Sequence, residues 1–240
     1  MNRTIKLFLL SLIIILSLSS CVMQQGISLS RGGSGWATTD LSVTPFFATV
    51  LEDFQPFSEE ENPKPLLDSS IENFTKELSK ASSTSYISSL KLNDYTYFID
   101  FTFSSLTQLL KDLNNREEQS IVTIKRTGNR ERLDFFLDIN NYPELTRIVP
   151  FLADENFETF GPLYNEGMSE DEYYEMISYI LDEKGPQEIR ESIISLQLTT
   201  PSTIISQEGG IIEGNNVIRF DIPLIDILLL SEPITFYAVW

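Results

Sequence analysis

Histidine is absent from this chain of 240 residues, and cysteine occurs once, at Cys21. A Ser-His-Asp triad, a Cys-His nucleophile and any His-ligated zinc or haem centre are therefore excluded. One thiol also excludes an intramolecular disulfide and a thiolate metal cluster. Basic residues are scarce: 17 Lys and Arg face 35 Asp and Glu, a formal charge of −18. A nucleic-acid binder needs a basic face to displace phosphate counterions, so no nucleic acid is expected as a partner. The G-x-x-x-x-G-K-[ST] string that cradles phosphate is missing, and the glycines of Arg31 to Gly35 and of Gly209-Gly210 read as turns. What the chain does have is 42% apolar residues, enough to pack the core of one domain of this length.

Long apolar runs are lacking except at the start. Arg3 and Lys6 precede the run Leu7 to Leu18, which would span about 18 Å as a helix against about 30 Å of bilayer hydrocarbon. That length fits a secretory leader over residues 1–20 better than a transmembrane anchor. The run ends in Leu18-Ser19-Ser20-Cys21, which resembles the bacterial lipobox. An ordinary leader followed by a structural thiol is the other reading of the same residues. The resemblance implies cleavage between Ser20 and Cys21, with acyl chains such as palmitate carried on Cys21 as the new N-terminus. It places the chain in the cell envelope, held to a membrane by those chains. Two or three acyl chains hold stably where one holds marginally. Ile222 to Leu230 is too short for a second anchor and is interrupted by Pro223 and Asp226. A body this acidic is repelled by anionic lipid and is expected to stand off the surface.

Residues 21–35 read as a tether or as a first strand turning at Gly32-Gly33, and residues 36–240 as one α+β domain. Trp36 to Val43 alternates as a strand, and Pro45 opens a short helix. Gln55 to Leu67, with Glu59-Glu60-Glu61 and three prolines, reads as an exposed acidic loop. Five helices follow from apolar period and end signals. They start at Ser69 (boxed with Glu72), at Ser104 or Ser105, at Pro143, at Ser169 (boxed with Glu172) and at Pro186. Strand alternation appears in Ser85 to Leu92, Tyr95 to Phe103, Ser120 to Arg126, Glu131 to Ile139 and four C-terminal stretches. Helices interspersed with hairpins, without a βαβ period, point to a mostly antiparallel sheet with helices packed on one face. Tyr95 to Thr123 and Val217 to Val239 both read strand, short apolar helix, strand.

The tail is distinctive: Glu208-Gly209-Gly210, Glu213-Gly214-Asn215-Asn216, then VIRFDIPLIDILLL and a closing ITFYAVW. Together with GSGWATTDLSVTPFF near the start, it resembles the LppM-type domain of bacterial lipoproteins. That resemblance covers about sixty residues in two blocks; the sequence departs from it in its long acidic middle. It implies an extracytoplasmic α+β domain that binds a lipid-like ligand or an envelope partner, and it transfers no catalytic residue.

Asp154 to Glu191 holds twelve acids against Lys184 and Arg190. The stretch reads as a docking face for a basic protein partner or as a cation site. The spacing of a calcium loop is absent, and Glu170, Asp171 and Glu172 suit the first turn of a helix, where the dipole favours negative charge. No metal, cofactor or catalytic residue is assigned. A hydrolase built on two carboxylates remains the enzymatic alternative. The reading carried forward is a non-catalytic, acyl-anchored envelope lipoprotein that binds an apolar ligand or a partner, with a surface-exposed structural or host-facing lipoprotein bearing an acidic docking face as the alternative.

Overall fold

In the computed structural model of the chain, residues 21–53, 64–149, 152 and 158–240 are described. The leader, Ser20 included, and residues 55–63 of the expected acidic loop lie outside them. The fold is α+β, built from two mostly antiparallel sheets and, among the described residues, seven helices.

β1 (Cys21–Leu29) and β2 (Gly35–Ser42) pair as a hairpin. Its turn runs through Gly32 and Gly33, at φ 97° and 84°, where a side chain would be strained. So residues 21–35 form a strand, a turn and the start of β2. α1 (Pro45–Asp53) opens on its proline as expected. α2 (Leu66–Lys80) departs from expectation: it starts three residues before Ser69, with Pro65 at its N-cap and no capping box. Starting early buries Leu67 and puts Asp68 in the first turn, so Ser69 N–H already donates to Pro65 O, at 3.1 Å.

β3 (Thr84–Asn93) and β4 (Thr96–Phe103) form a second hairpin, with Tyr97, Ile99, Phe101 and Phe103 of β4 pointing inward by the period of two. α3 (Leu106–Leu113) is capped by Ser105, whose hydroxyl accepts from Gln108 N–H at 3.2 Å. β5 (Val122–Thr127) and β6 (Arg130–Leu137) turn at Gly128. α4 (Tyr142–Ile148) closes on Val149 as its C-cap, the residue before Pro150, where helix is disfavoured. α5 (Glu170–Leu181) keeps both hydrogen bonds of the Ser169–Glu172 capping box. α6 (Lys184–Glu191) begins two residues before Pro186, which sits in its first turn, and Ile193 already belongs to β7 (Ile193–Thr199). β8 (Ser206–Glu208), β9 (Ile211–Gly214), β10 (Val217–Pro223), α7 (Leu224–Leu229) and β11 (Ile234–Val239) complete the order.

The larger sheet runs β3-β4-β2-β1-β7-β10-β9, the smaller β5-β6-β11-β8. β1 and β7 pair in parallel, 172 positions apart by their first residues Cys21 and Ile193. β4–α3–β5 and β10–α7–β11 each carry the chain from the larger sheet to the smaller. Three stacked rings tie the sheets together: Phe220 lies 3.9 Å from Phe236, and Phe236 lies 4.3 Å from Phe135, centroid to centroid. No helix among the described residues is long and apolar enough to cross a membrane.

Candidate functional site

Register places the inner face of the larger sheet in three lateral rows. The first is Phe101, Ala37, Ile27, Leu198 and Ile218; the second Ile99, Thr39, Gln25, Leu196 and Phe220; the third Tyr97, Leu41, Met23, Ile194 and Ile222. The outer columns, on β4 and β10, are buried throughout. The middle behaves differently. Ile27, Gln25 and Met23 of the central strand are only half-buried, as are Leu196, Ile194 and Leu41 beside them. Central strands ordinarily carry the most deeply buried side chains of a sheet. Here Ile27, Ile194, Leu196 and Leu41 pack against the core without being fully enclosed by it, and the half-buried positions widen from one per row to three toward the Cys21 end.

This floor is apolar with one polar point. Thr39, 5% exposed, donates its hydroxyl to Gln25 Oε1 at 2.6 Å, and Gln25 Nε2 reaches Gly26 O at 3.3 Å. A half-buried apolar floor with a single hydrogen-bonding pair is chemically matched to hydrocarbon.

Beside the third row, Tyr97 donates its hydroxyl to Asp68 Oδ1, and Lys91 Nζ lies 3.1 Å from Asp68 Oδ2 and 5.6 Å from the Tyr97 ring centre. The Tyr97 hydroxyl is the first cause that lowers the Asp68 pKa, with Lys91 adding to it against the cost of burial. Burial leads in raising Tyr97, and Asp68 adds to it. These groups clamp α2 onto the β3–β4 hairpin.

Of the acidic stretch, Asp154 and Glu155 lie outside the described residues, and the acids that are described do not gather at one point. Ser169 N–H and Oγ both donate to Glu172 Oε2, at 2.9 and 2.7 Å, so this acid is consumed in capping, and these bonds lower its pKa. Glu188 accepts from Thr44 Oγ1 at 2.9 Å, and Arg190 stacks 4.0 Å over the Tyr174 ring. Among the described residues no three acids or thiols come together as a metal-ligand set. One carboxylate has a raised pKa beside a second: Asp226 of α7, through burial first and the charge of Glu170 second. Cys21 is the first residue of β1, level with Ile193, and a bulge separates it from Met23.

The floor residues were the part that residue patterns did not single out. Their signal was the alternation Met23, Gln25, Ile27 against Gln24, Gly26, Ser28, which marks a strand but not its neighbours.

No protein-family model matches the chain, and no curated protein matches it. Among solved structures, the chain is similar to the folded domain of Mycobacterium tuberculosis LppM, determined by NMR. The two share 13% identity at a TM-score of 0.39, over 90% of this chain and 86% of that one.

Proposed function

We propose that the protein is an acyl-anchored, non-catalytic lipoprotein of the cell envelope that holds a lipid-like ligand on the half-buried floor of β1 and β7. The observation that supports the reading is the half-buried row Leu41, Met23 and Ile194 between the buried Tyr97 and Ile222. An acyl chain laid along β1 would cover Met23 and Ile27 and place a polar group at Gln25, where Thr39 already fixes the amide. Apolar burial supplies about 25 cal/mol per Å² of covered surface, so a chain seated there is retained without any charged contact.

The test is native mass spectrometry of the full-length protein taken from the membranes of its own cells. The expected spectrum contains a species heavier than the acylated chain by one lipid. A Leu196→Glu variant, which puts a carboxylate on the half-buried floor, is expected to lose that species while keeping its circular dichroism. A ligand-free native spectrum, or lipid retained undiminished by the variant, rejects the reading.

A further inference from the structure

Strand register fixes which end of the larger sheet carries Cys21. The last β1–β2 pair toward Cys21 is Met23–Leu41, and Val43 N–H, two residues past Leu41, donates to Tyr95 O at 2.9 Å. Asp94 and Tyr95 are the turn of the β3–β4 hairpin. Cys21 and this tip therefore share one end of the sheet, two strand spacings or about 10 Å apart. The chain is in β-structure from residue 21, so an anchor on that residue has no slack in which to hold the sheet away from the bilayer.

The tip carries exposed apolar side chains beside a slip in the ladder. Pairing slips between Lys91 and Asn93, which leaves Leu92 out of the ladder and 60% exposed. Tyr95 is 38% exposed and Leu90, on the same edge strand, 54%. Lys91 between them is drawn inward by Asp68 and Asp94.

We propose that the β3–β4 tip, through Leu92 and Tyr95, enters the interfacial zone of the bilayer that holds Cys21. It makes a second, shallow membrane contact beside the acyl chains. The inference rests on acylation of Cys21. Tyrosine suits the headgroup level, where its ring is buried and its hydroxyl stays wet. Asp94 and Glu191 are exposed at the same end and repel anionic headgroups, so the surface that fits is zwitterionic. The repulsion of the acidic body is thereby reconciled with contact at one corner.

The molecule carries its own control. Trp36, 50% exposed, pairs with Ser28 near the opposite end of β2, about 20 Å from Ser42. Full-length protein is purified from bacterial membranes and reconstituted into phosphatidylcholine vesicles with brominated acyl chains. Intact mass is read on the same sample. The Leu92→Trp variant adds an indole at an exposed site; Tyr95→Trp serves if that variant misfolds. The expected result is an acyl mass on the chain and loss of about half the emission added at position 92, since the bromines lie where a shallow contact reaches. Trp36 emission is expected to be unchanged, and phosphatidylglycerol in the vesicles to reduce the loss. An acylated chain whose position-92 indole is quenched no more than Trp36 overturns the contact and leaves the anchor standing. An unmodified Cys21 overturns the anchor and the contact with it. A blue shift at position 92 that grows with protein concentration in lipid-free detergent assigns the tip to a second copy of the chain, and also overturns the contact.

Discussion

Asp68 takes a hydroxyl from Tyr97 and an ammonium from Lys91, and both favour its charged form. A carboxylate with a lowered folded pKa stabilises the fold while it is ionised and stops doing so as pH falls below its ordinary 3.8. Stability is thus expected to drop on the acid side, and Asp68→Asn to flatten the curve between about pH 5 and pH 2 in urea midpoints. A variant whose acid limb matches the parent would show that the clamp carries no weight. Gly210 is a steric case. A Cβ there would lie 2.5 Å from the Phe220 ring and 2.7 Å from Ile218, both buried. Gly210→Ala is expected to cost about 1–3 kcal/mol, read as a lower urea midpoint at unchanged slope. Neither effect was legible in the sequence. Asp68 and Gly210 have unremarkable neighbours, and the groups that matter to them arrive from 23 to 29 positions away in one case and from β10 in the other.

Two segments share the string Ser-x-x-Glu before an apolar stripe, yet only one is a cap. Ser169→Ala removes the hydroxyl half of the α5 capping box, keeps the backbone N–H that donates to Glu172, and is expected to cost about 1 kcal/mol in thermal or urea unfolding. Ser69→Ala, inside the first turns of α2, is expected to stay within about 0.5 kcal/mol of the parent. Equal losses at the two sites would contradict the assigned start of α2. The motif states a local preference, and burial of Leu67 decided against it at the first site. Hairpins were more legible: β3–β4 and β5–β6 follow the alternation within two residues. The two strand–helix–strand units were visible as a repeat, and each crosses between sheets, since a short helix after β4 or β10 turns the chain over the core.

For the molecule as a whole, the stack of Phe135, Phe236 and Phe220 is where two sheets become one body. Phe236→Ala is expected to cost about 3–5 kcal/mol, with near- and far-ultraviolet dichroism lost in one coincident transition. Separate transitions would mean that each sheet holds itself. The half-buried floor belongs to this scale as well. Ile27, Ile194, Leu196 and Leu41 pack against the core without being fully enclosed by it.

By itself the sequence determined the α+β class and most strands and helices. Apolar period, caps and turns act over a few residues, and their physics is contained in the string. Only the tertiary structure decided that β1 lies at the centre of the sheet, paired with a strand 172 positions on, and that Met23, Ile194 and Leu41 share a half-buried row. Alternation states that a residue faces inward. Which layer meets it there, or fails to, depends on long-range register and on how distant layers divide the space.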